Sequence, residues 1–495
     1  MASEGSYGLV IGGVEAGGTR GETTELLDPA TNRPLARVVV GGSDDASHAM
    51  ETALAAFEGS DWAGGDGARR ARSLLRLAQL LEQQQEEFAT LESRNMGKTL
   101  REARADVSYV VRTLEYVAGL ADKVQGETIP VPGSRFNFTV REPLGVTVHI
   151  APWNYPLLLA MRSVAPALAA GNAVVLKPAS LTPLTAIRLA RLAREAGIPD
   201  GILNVVSGPG GKLGEALVTD RRCRSVSFTG SGDVGRRIAT LAAERLVPTT
   251  LELGGKSPVV VLPDADLDRA ARGVALGIFG NAGQMCWAGS RLIVHESVRA
   301  PLLEKLRATA EGLRLGPGTE EGVEMGPLVS RDQEARVLAY VEEARGGGAT
   351  VVTGGDKPSD PRLRDGNFVR PTVLADLSAD TPAAREEIFG PVLSTFTFHD
   401  VDEAVRLANA SPFGLFAAVW TRDLAHAHHL ARRLEAGMVV VNEPPLTFPQ
   451  SPFGGFKESG LGSEQGRRAV ASFTRTKSVL LNVAVPKPKK PATRS

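Results

Sequence analysis

The sequence predicts an α/β protein built on parallel sheets, and three observations carry that reading. From Val146 onward, short β-branched runs recur at Val146–Ile150, Ala173–Leu176, Ile202–Val206, Ser225–Phe228 and Pro258–Leu262. Helical stretches separate them, around Leu157–Ala169, Pro183–Ala196, Lys212–Val218 and Val234–Ala243. The links are short, as in a doubly wound parallel sheet covered on both faces. Such sheets bind ligands at the carboxyl ends of their strands.

The remaining elements follow in order. Arg69 to Asn95 reads as one helix, with Leu74, Leu77, Leu81, Phe88 and Leu91 on one side and Gly97 as its stop signal. The Gly- and Pro-rich segment Gly126 to Gly133 leads into the alternating Phe136, Phe138 and Val140, a β-ribbon outside the main sheets. A second α/β set begins near Asp266, with strands at Ala349–Val352, Val392–Phe398, Leu415–Thr421 and Met438–Val441. Helices at Asp402–Ala408 and Ala425–Leu434 separate some of them, and a last strand is expected at Ser478–Asn482. Two ribbons away from a core suit contact with a neighbouring subunit. The Pro- and Lys-rich end, Pro486 to Ser495, reads as a mobile tail.

Composition sets the outer bounds. The 495 residues suffice for about two to four domains. Hydrophobic residues make up 43% and charged residues 23%, the balance of an ordinary globular protein. Lys+Arg and Asp+Glu are 56 each, so net charge gives no reason to expect nucleic acid or an anionic membrane as partner. No apolar run approaches the roughly 20 residues of a membrane span. Met1 to Val14 lacks the pattern of a secretory signal. The only cysteines are Cys223 and Cys286, too few for a disulfide framework. Free thiols fit a reducing, cytoplasmic setting.

Several segments bear chemistry. A lone cysteine is more often a small buried residue than a nucleophile, and Cys223, entering a strand, fits that description. Cys286 instead follows the break Asn281-Ala282-Gly283, a loop able to present a reactive side chain. Glu252, in Leu251-Glu252-Leu253-Gly254-Gly255-Lys256, is a carboxylate at an apolar strand end. It is either a salt-bridge partner or a general base with an environment-tuned pKa. The run Gly230-Ser231-Gly232-Asp233-Val234-Gly235 is a G-x-G-x-x-G between a strand and a helix, a context suited to phosphate. Glu252 lies near the spacing of a ribose-binding acid, but this fingerprint follows the fourth strand rather than the first. Asn154, in Pro152-Trp153-Asn154-Tyr155-Pro156, is a turn residue or an oxyanion donor.

Taken together, Pro152–Pro156, Lys177, Phe228–Gly235, Glu252–Lys256, Gly283–Cys286, Glu387–Pro391 and Pro452–Gly455 resemble, in order, the motifs of the NAD(P)-dependent aldehyde dehydrogenase superfamily. The 34-residue gap between Glu252 and Cys286 also matches, and the resemblance runs from about Leu27 to Leu481. It implies a cofactor domain (1–123 and 144–253), a catalytic domain (254–456), and an oligomerisation ribbon with tail (124–143 and 457–495). It implies oxidation of a small aldehyde with NAD or NADP by a homodimer or homotetramer, without a metal. Cys286 would attack the aldehyde to give a thiohemiacetal, Asn154 and the Cys286 N–H would hold its oxyanion, and Glu252 would activate the water that hydrolyses the thioester. Cofactor residues would be Trp153, Lys177, Ser180, Gly210, Gly230, Ser231, Gly235, Leu253, Glu387 and Phe389. The substrate tunnel would include Tyr155, Leu159, Arg162, Met285, Trp287, Leu446, Thr447 and Phe453, mostly apolar and suited to an aromatic or medium aliphatic aldehyde.

Departures from the family pattern sharpen these expectations. Strongly NAD-selective members often carry Glu three residues after the lysine; here Ser180 stands there, which removes repulsion of a 2′-phosphate. Gly232 replaces the usual Thr and should loosen the turn without removing phosphate-facing N–H groups. Arg162 either pairs with a substrate carboxylate, as in a semialdehyde dehydrogenase, or points outward into a salt bridge. A coenzyme A-acylating relative would generally lack Glu252, and an inactive structural relative would not need Cys286, Asn154, Glu252 and Lys177 together.

Overall fold

In the computed structural model, residues 5–484 are described, and the Pro486–Ser495 tail lies outside them. The strands Val146–Ile150, Ala173–Lys177, Leu203–Val205, Cys223–Thr229 and Thr249–Glu252 form the parallel heart of an eight-stranded sheet. Val146–Ile150 is first of these in the chain but central in the sheet, between Ala173–Lys177 and Cys223–Thr229. Chain direction therefore splits at this strand, and a crevice opens beyond its carboxyl end. Register brings the strand ends level: Ile150 pairs with both Lys177 and Phe228, and Thr229 with Glu252. Antiparallel edges complete the sheet, with Leu9–Ile11 and Val14–Ala16 on one side and Gly460–Leu461 on the other.

A seven-stranded sheet holds the second half, ordered Thr350–Thr353, Thr372–Ala375, Val392–Phe398, Arg291–His295, Pro258–Val261, Phe416–Trp420 and Met438–Val441. All but the first pair in parallel. Pro258–Val261 thus belongs here rather than with the earlier β-branched runs. Thr249–Glu252 takes its place in the first sheet. Its two threonines and final carboxylate hide it from an apolar-run reading.

Two other expectations change. Arg69–Asn95 is two helices, Gly67–Gln83 and Gln85–Met96, broken at Gln84 (φ −106°, ψ 20°). The apolar stripe continues across the break, so periodicity alone could not locate it. Gly97 does end the second helix, in the left-handed region at φ +100°. The two expected ribbons are a single three-stranded sheet: Arg135–Pro143 pairs antiparallel with both Thr474–Asn482 and Thr128–Ile129.

The helix Pro156–Ala169 starts beside the crevice with Pro at its first position, where no N–H is needed. It is apolar all round and buried on nearly every residue, packed against the helix Leu100–Ala118 and the first sheet. Arg162 is its only charged side chain. Among the described residues no helix is long and apolar enough to cross a membrane.

The second sheet is tied to its surroundings by a buried cation. Arg291 is 5% exposed and donates to three carbonyls, Lys256 at 2.7 Å, Leu407 at 2.9 Å and Ala408 at 2.7 Å. The last two belong to the final turn of the helix Val401–Asn409, where a positive charge is favoured. Arg291→Leu would keep the volume and leave three buried acceptors unpaired. The expected cost is about 3–5 kcal/mol, read as a lower urea midpoint at unchanged slope.

Candidate active site

Cys286 stands at the end of an unusual turn. The helix Leu267–Phe279 is followed by Asn281 (φ +49°), Ala282 (φ +52°) and Gly283 (φ +72°), three consecutive left-handed residues. Two of these are not glycine, and such backbone persists only where the surroundings over-determine it. Gly283 has a second reason to be glycine: a Cβ there would lie 2.1 Å from the Gly390 carbonyl oxygen. Gln284 locks the turn, donating through Nε2 to the Asn281 carbonyl at 3.0 Å and accepting from the Val329 N–H at 2.9 Å.

Two cavities meet at Cys286. One, of about 230 Å³, is lined by Trp153, Asn154, Gly230, Ser231, Glu252, Leu253, Glu387 and Phe389. The other, of about 300 Å³, is lined by Tyr155, Arg162, Trp287, Leu446, Thr447 and Phe453. Cys286 and Leu159 border both. Burial pushes the Cys286 thiol up to about 12; Arg162 opposes this, Glu387 and Glu252 reinforce it, and a Trp287 N–H bond opposes it.

Glu252 ends its strand fully buried, and neither carboxylate oxygen has a hydrogen-bond partner. Burial holds its pKa well above the usual carboxylate range, with Arg162 pulling it down and Glu464 adding to the rise. Asn154 is 2% exposed and donates one amide hydrogen to the Gln284 carbonyl at 2.9 Å. That bond fixes the amide beside the turn that carries Cys286.

Arg162 is neither outward nor free for a substrate carboxylate. It forms a buried ion pair with Glu464, which also accepts from Ser227 Oγ at 3.1 Å. Its guanidinium carbon lies 4.5 Å from the Phe453 ring centroid, and its unpartnered Nη2 is sealed from solvent. A charge on an all-buried helix needs such a partner. Met285 also departs from expectation. It packs in the apolar core under the second sheet and lines neither cavity. Trp287 does face the second cavity, edge-on to Phe453 at 5.6 Å.

On the cofactor side the expected residues separate into groups. Glu387 accepts from the Gly255 N–H at 3.0 Å, and burial pushes its carboxyl up to about 7 against Lys256 and Arg336. Phe389, at φ +60°, stands edge-on to Trp153 at 5.1 Å. Ser231 precedes the helix Gly232–Ala243 and makes no side-chain cap, so the first-turn N–H groups face outward for an anion. The Gly230 N–H is not among them, because it donates to the Glu252 carbonyl at 3.0 Å. Gly235 is tightly packed: a Cβ there would meet Leu253 Cδ2 at 2.5 Å, and its N–H donates to the Ser231 carbonyl at 2.9 Å.

Lys177, Ser180 and Gly210 lie outside the lining of either cavity; Lys177 ends its strand, and the other two follow strand ends. Lys177 Nζ has donated only to the Pro178 carbonyl, at 2.8 Å, and burial lowers it to about 8. Ser180 Oγ donates to the Gly208 carbonyl at 2.7 Å, and nothing stands within 4 Å of a Cβ at Gly210 or Gly211. An underused buried amine, an open glycine pair, an uncapped helix start and a second carboxylate fit the ribose, phosphate and nicotinamide parts of a dinucleotide.

The lining residues missed include Gln333, Arg336, Asp106 and Tyr109. Gln333 donates to the Phe389 carbonyl at 2.8 Å and so holds that strained residue, with Arg336 beside it. In the second cavity, the helix Leu100–Ala118 supplies Asp106 and Tyr109. Lys98 Nζ lies 2.5 Å from Asp106 and 3.8 Å from the Tyr155 ring centroid; burial raises Asp106 to about 7. The Tyr109 hydroxyl accepts from Gln465 at 2.6 Å. An acid in the buried stripe of an amphipathic helix was the available signal.

Arg162 is the cation that favours charge on both Glu252 and Cys286. Arg162→Met removes the group that lowers the Glu252 pKa. The acidic limb of the kcat–pH profile should then move to higher pH, by about one unit or more. An unmoved limb would separate Arg162 from that titration.

Comparison with known proteins agrees with this geometry. Residues 17–479 match the aldehyde dehydrogenase family. The chain is 44% identical over 472 residues to hydroxyisobutyraldehyde dehydrogenase of Mycolicibacterium austroafricanum, covering 95% of this chain and 93% of that one. It is 43% identical over 482 residues to phenylacetaldehyde dehydrogenase of Pseudomonas fluorescens, covering 96% and 95%. The NAD+ complex of a Bacillus cereus aldehyde dehydrogenase superposes with a TM-score of 0.94 at 41% identity, covering 97% of each chain. With the fold, the cavities and these likenesses in agreement, the chain belongs to the aldehyde dehydrogenase family.

Proposed function

We propose that this chain oxidises an aromatic or medium aliphatic aldehyde to its carboxylic acid through a covalent Cys286 intermediate. The observation that carries the reading is the place of Cys286, bordering both cavities, with the unpartnered Glu252 carboxylate in the wall of one of them. An aldehyde carbon cannot lose hydride directly without forming an acyl cation. Attack by Cys286 Sγ as the thiolate, its proton passed to water, makes it tetrahedral first. The new oxyanion accepts from the Cys286 N–H and from the second amide hydrogen of Asn154. Each such donor typically supplies about 3–4 kcal/mol of the barrier.

A bound nicotinamide supplies the hydride acceptor. What remains on Cys286 is a thioester. Glu252 then takes a proton from water, and the hydroxide attacks the thioester carbon and releases the acid. Burial suits Glu252 to this task, because it raises the carboxylate's affinity for the proton. Glu387 and Phe389 would orient the nicotinamide ribose and ring, Trp153, Lys177 and Gly210 the adenosine, and Ser231 the pyrophosphate. Ser180 leaves room for a 2′-phosphate, so NAD and NADP would both serve. Its proton is already given to Gly208, so it acts by the absence of repulsion.

Leu446, Phe453 and Trp287 favour an apolar substrate body, and Tyr109, Gln465 and Asp106 supply a polar wall. The semialdehyde alternative loses support because Glu464 neutralises Arg162. A homodimer or homotetramer would cover Ile129, Phe136, Leu480 and Leu481, exposed on the three-stranded sheet. Two unpaired cysteines support a cytoplasmic setting.

Glu252→Gln tests the assignment. Mixed with aldehyde and NAD or NADP, it should release one reduced cofactor per site and then stall as the thioester, with cofactor affinity near parental. Steady turnover, or collapse of cofactor affinity with normal turnover, would reject the role of Glu252. Cys286→Ala should release none. An aldehyde panel ranked by kcat/KM, with and without coenzyme A, separates hydrolytic from acylating chemistry.

A further inference from the structure

We propose that Glu102 is a positioning residue for the nucleophile, acting through the backbone of Asn281; this rests on the assignment of Cys286 above. Glu102 lies on the first turn of the helix Leu100–Ala118 and is absent from the lining of both cavities.

Its two carboxylate oxygens serve different partners. Oε2 accepts from the Thr99 N–H at 2.9 Å and from Thr99 Oγ at 2.7 Å, closing the capping box of its own helix. Oε1 accepts from the Asn281 N–H at 2.7 Å. Asn281 is 3% exposed, and it opens the left-handed run that delivers Cys286. A buried N–H requires an acceptor, and a strained run requires anchoring from outside itself. Glu102 meets both needs with one charge-assisted bond.

Asn281 passes the constraint to the site. Its Nδ2 donates to the Asn154 carbonyl at 3.1 Å and to the Gln284 carbonyl at 3.2 Å. The same Gln284 carbonyl receives the Asn154 amide at 2.9 Å. Asn154 and the residue two before Cys286 are thereby held on one side chain. The distance between the two oxyanion donors, the Asn154 amide and the Cys286 N–H, is set from Asn281. Glu102 fixes where Asn281 stands.

A helix cap alone would also account for a Thr99–Glu102 pair, and the two oxygens allow the roles to be separated. Glu102→Met keeps length and helix propensity but accepts nothing. Its single-turnover release of reduced NAD, at saturating aldehyde and NAD, should fall about 30-fold or more, with NAD affinity within about twofold of parental. Thr99→Ala breaks the capping box and leaves the Asn281 bond. It should lower Tm through the lost cap, yet keep release within about threefold. Glu102→Gln retains a carbonyl for the Asn281 N–H and should keep release within about threefold as well. Parental release in Glu102→Met overturns the proposal. So does an equal loss in Thr99→Ala, or a loss in Glu102→Gln as large as in Glu102→Met. Should Glu102→Met not fold, Glu102→Ala is read against the same controls. Cys286→Ala, run in parallel, is expected to release nothing; release there would instead reject the nucleophile itself.

Discussion

The left-handed turn Asn281–Gly283 is the constraint on which the site depends. It converts the end of a helix under the second sheet into a loop that reaches the crevice of the first. Gly283 meets the Gly390 carbonyl there, so the turn that carries Cys286 and the segment carrying Glu387 and Phe389 are in direct backbone contact. Phe389 is itself left-handed, and Gln333 holds its carbonyl. Strain is thus concentrated on two touching segments beside the cavity that Cys286 and Glu387 border. Neither would keep its shape in isolation, and each limits the other's freedom.

The second constraint is electrostatic. Cys286 and Glu252 are acids that burial makes reluctant to ionise, and both feel the guanidinium of Arg162. Arg162 is in turn committed to Glu464. One buried cation therefore serves three acidic groups, and charge on any one weakens its help to the others. A reaction that needs a thiolate in one step and a carboxylate in the next suits such sharing, because the thiolate is consumed by its bond to substrate carbon before the carboxylate must act. A solvated site would screen these couplings away.

Much of this was legible in the chain. Strand–helix alternation located the parallel strands of the first sheet except Thr249–Glu252, whose threonines and carboxylate look polar in one dimension. Cys286, Glu252 and Asn154 stood out as residue types in unexpected surroundings. Roles that depend on which way a side chain turns were harder. Met285 and Trp287 flank Cys286 equally in sequence, yet one enters the core and the other the cavity. Gly235 completes a phosphate-like pattern but serves the close approach of its helix to Leu253. Asp106, Tyr109, Gln333 and Arg336 lay far from any motif. They reach the site only through helix packing, which local patterns do not encode.

The position of Glu252 shows why spacing alone misleads. In any strand–helix–strand unit of this size, the second strand's end returns beside the turn that follows the first strand. Here Thr229 pairs with Glu252, and the Gly230 N–H reaches the Glu252 carbonyl. An acid about 20 residues past a glycine motif is therefore a statement about the fold, common to ribose-binding and base-bearing sites alike. Burial and neighbours decide between them. A ribose-binding carboxylate needs an oxygen turned to an open groove. Glu252 is 1% exposed, lies under the influence of Arg162 and lines the cavity that Cys286 borders. The same register that creates the resemblance to a cofactor acid places this carboxylate in the wall of the cavity that Cys286 borders.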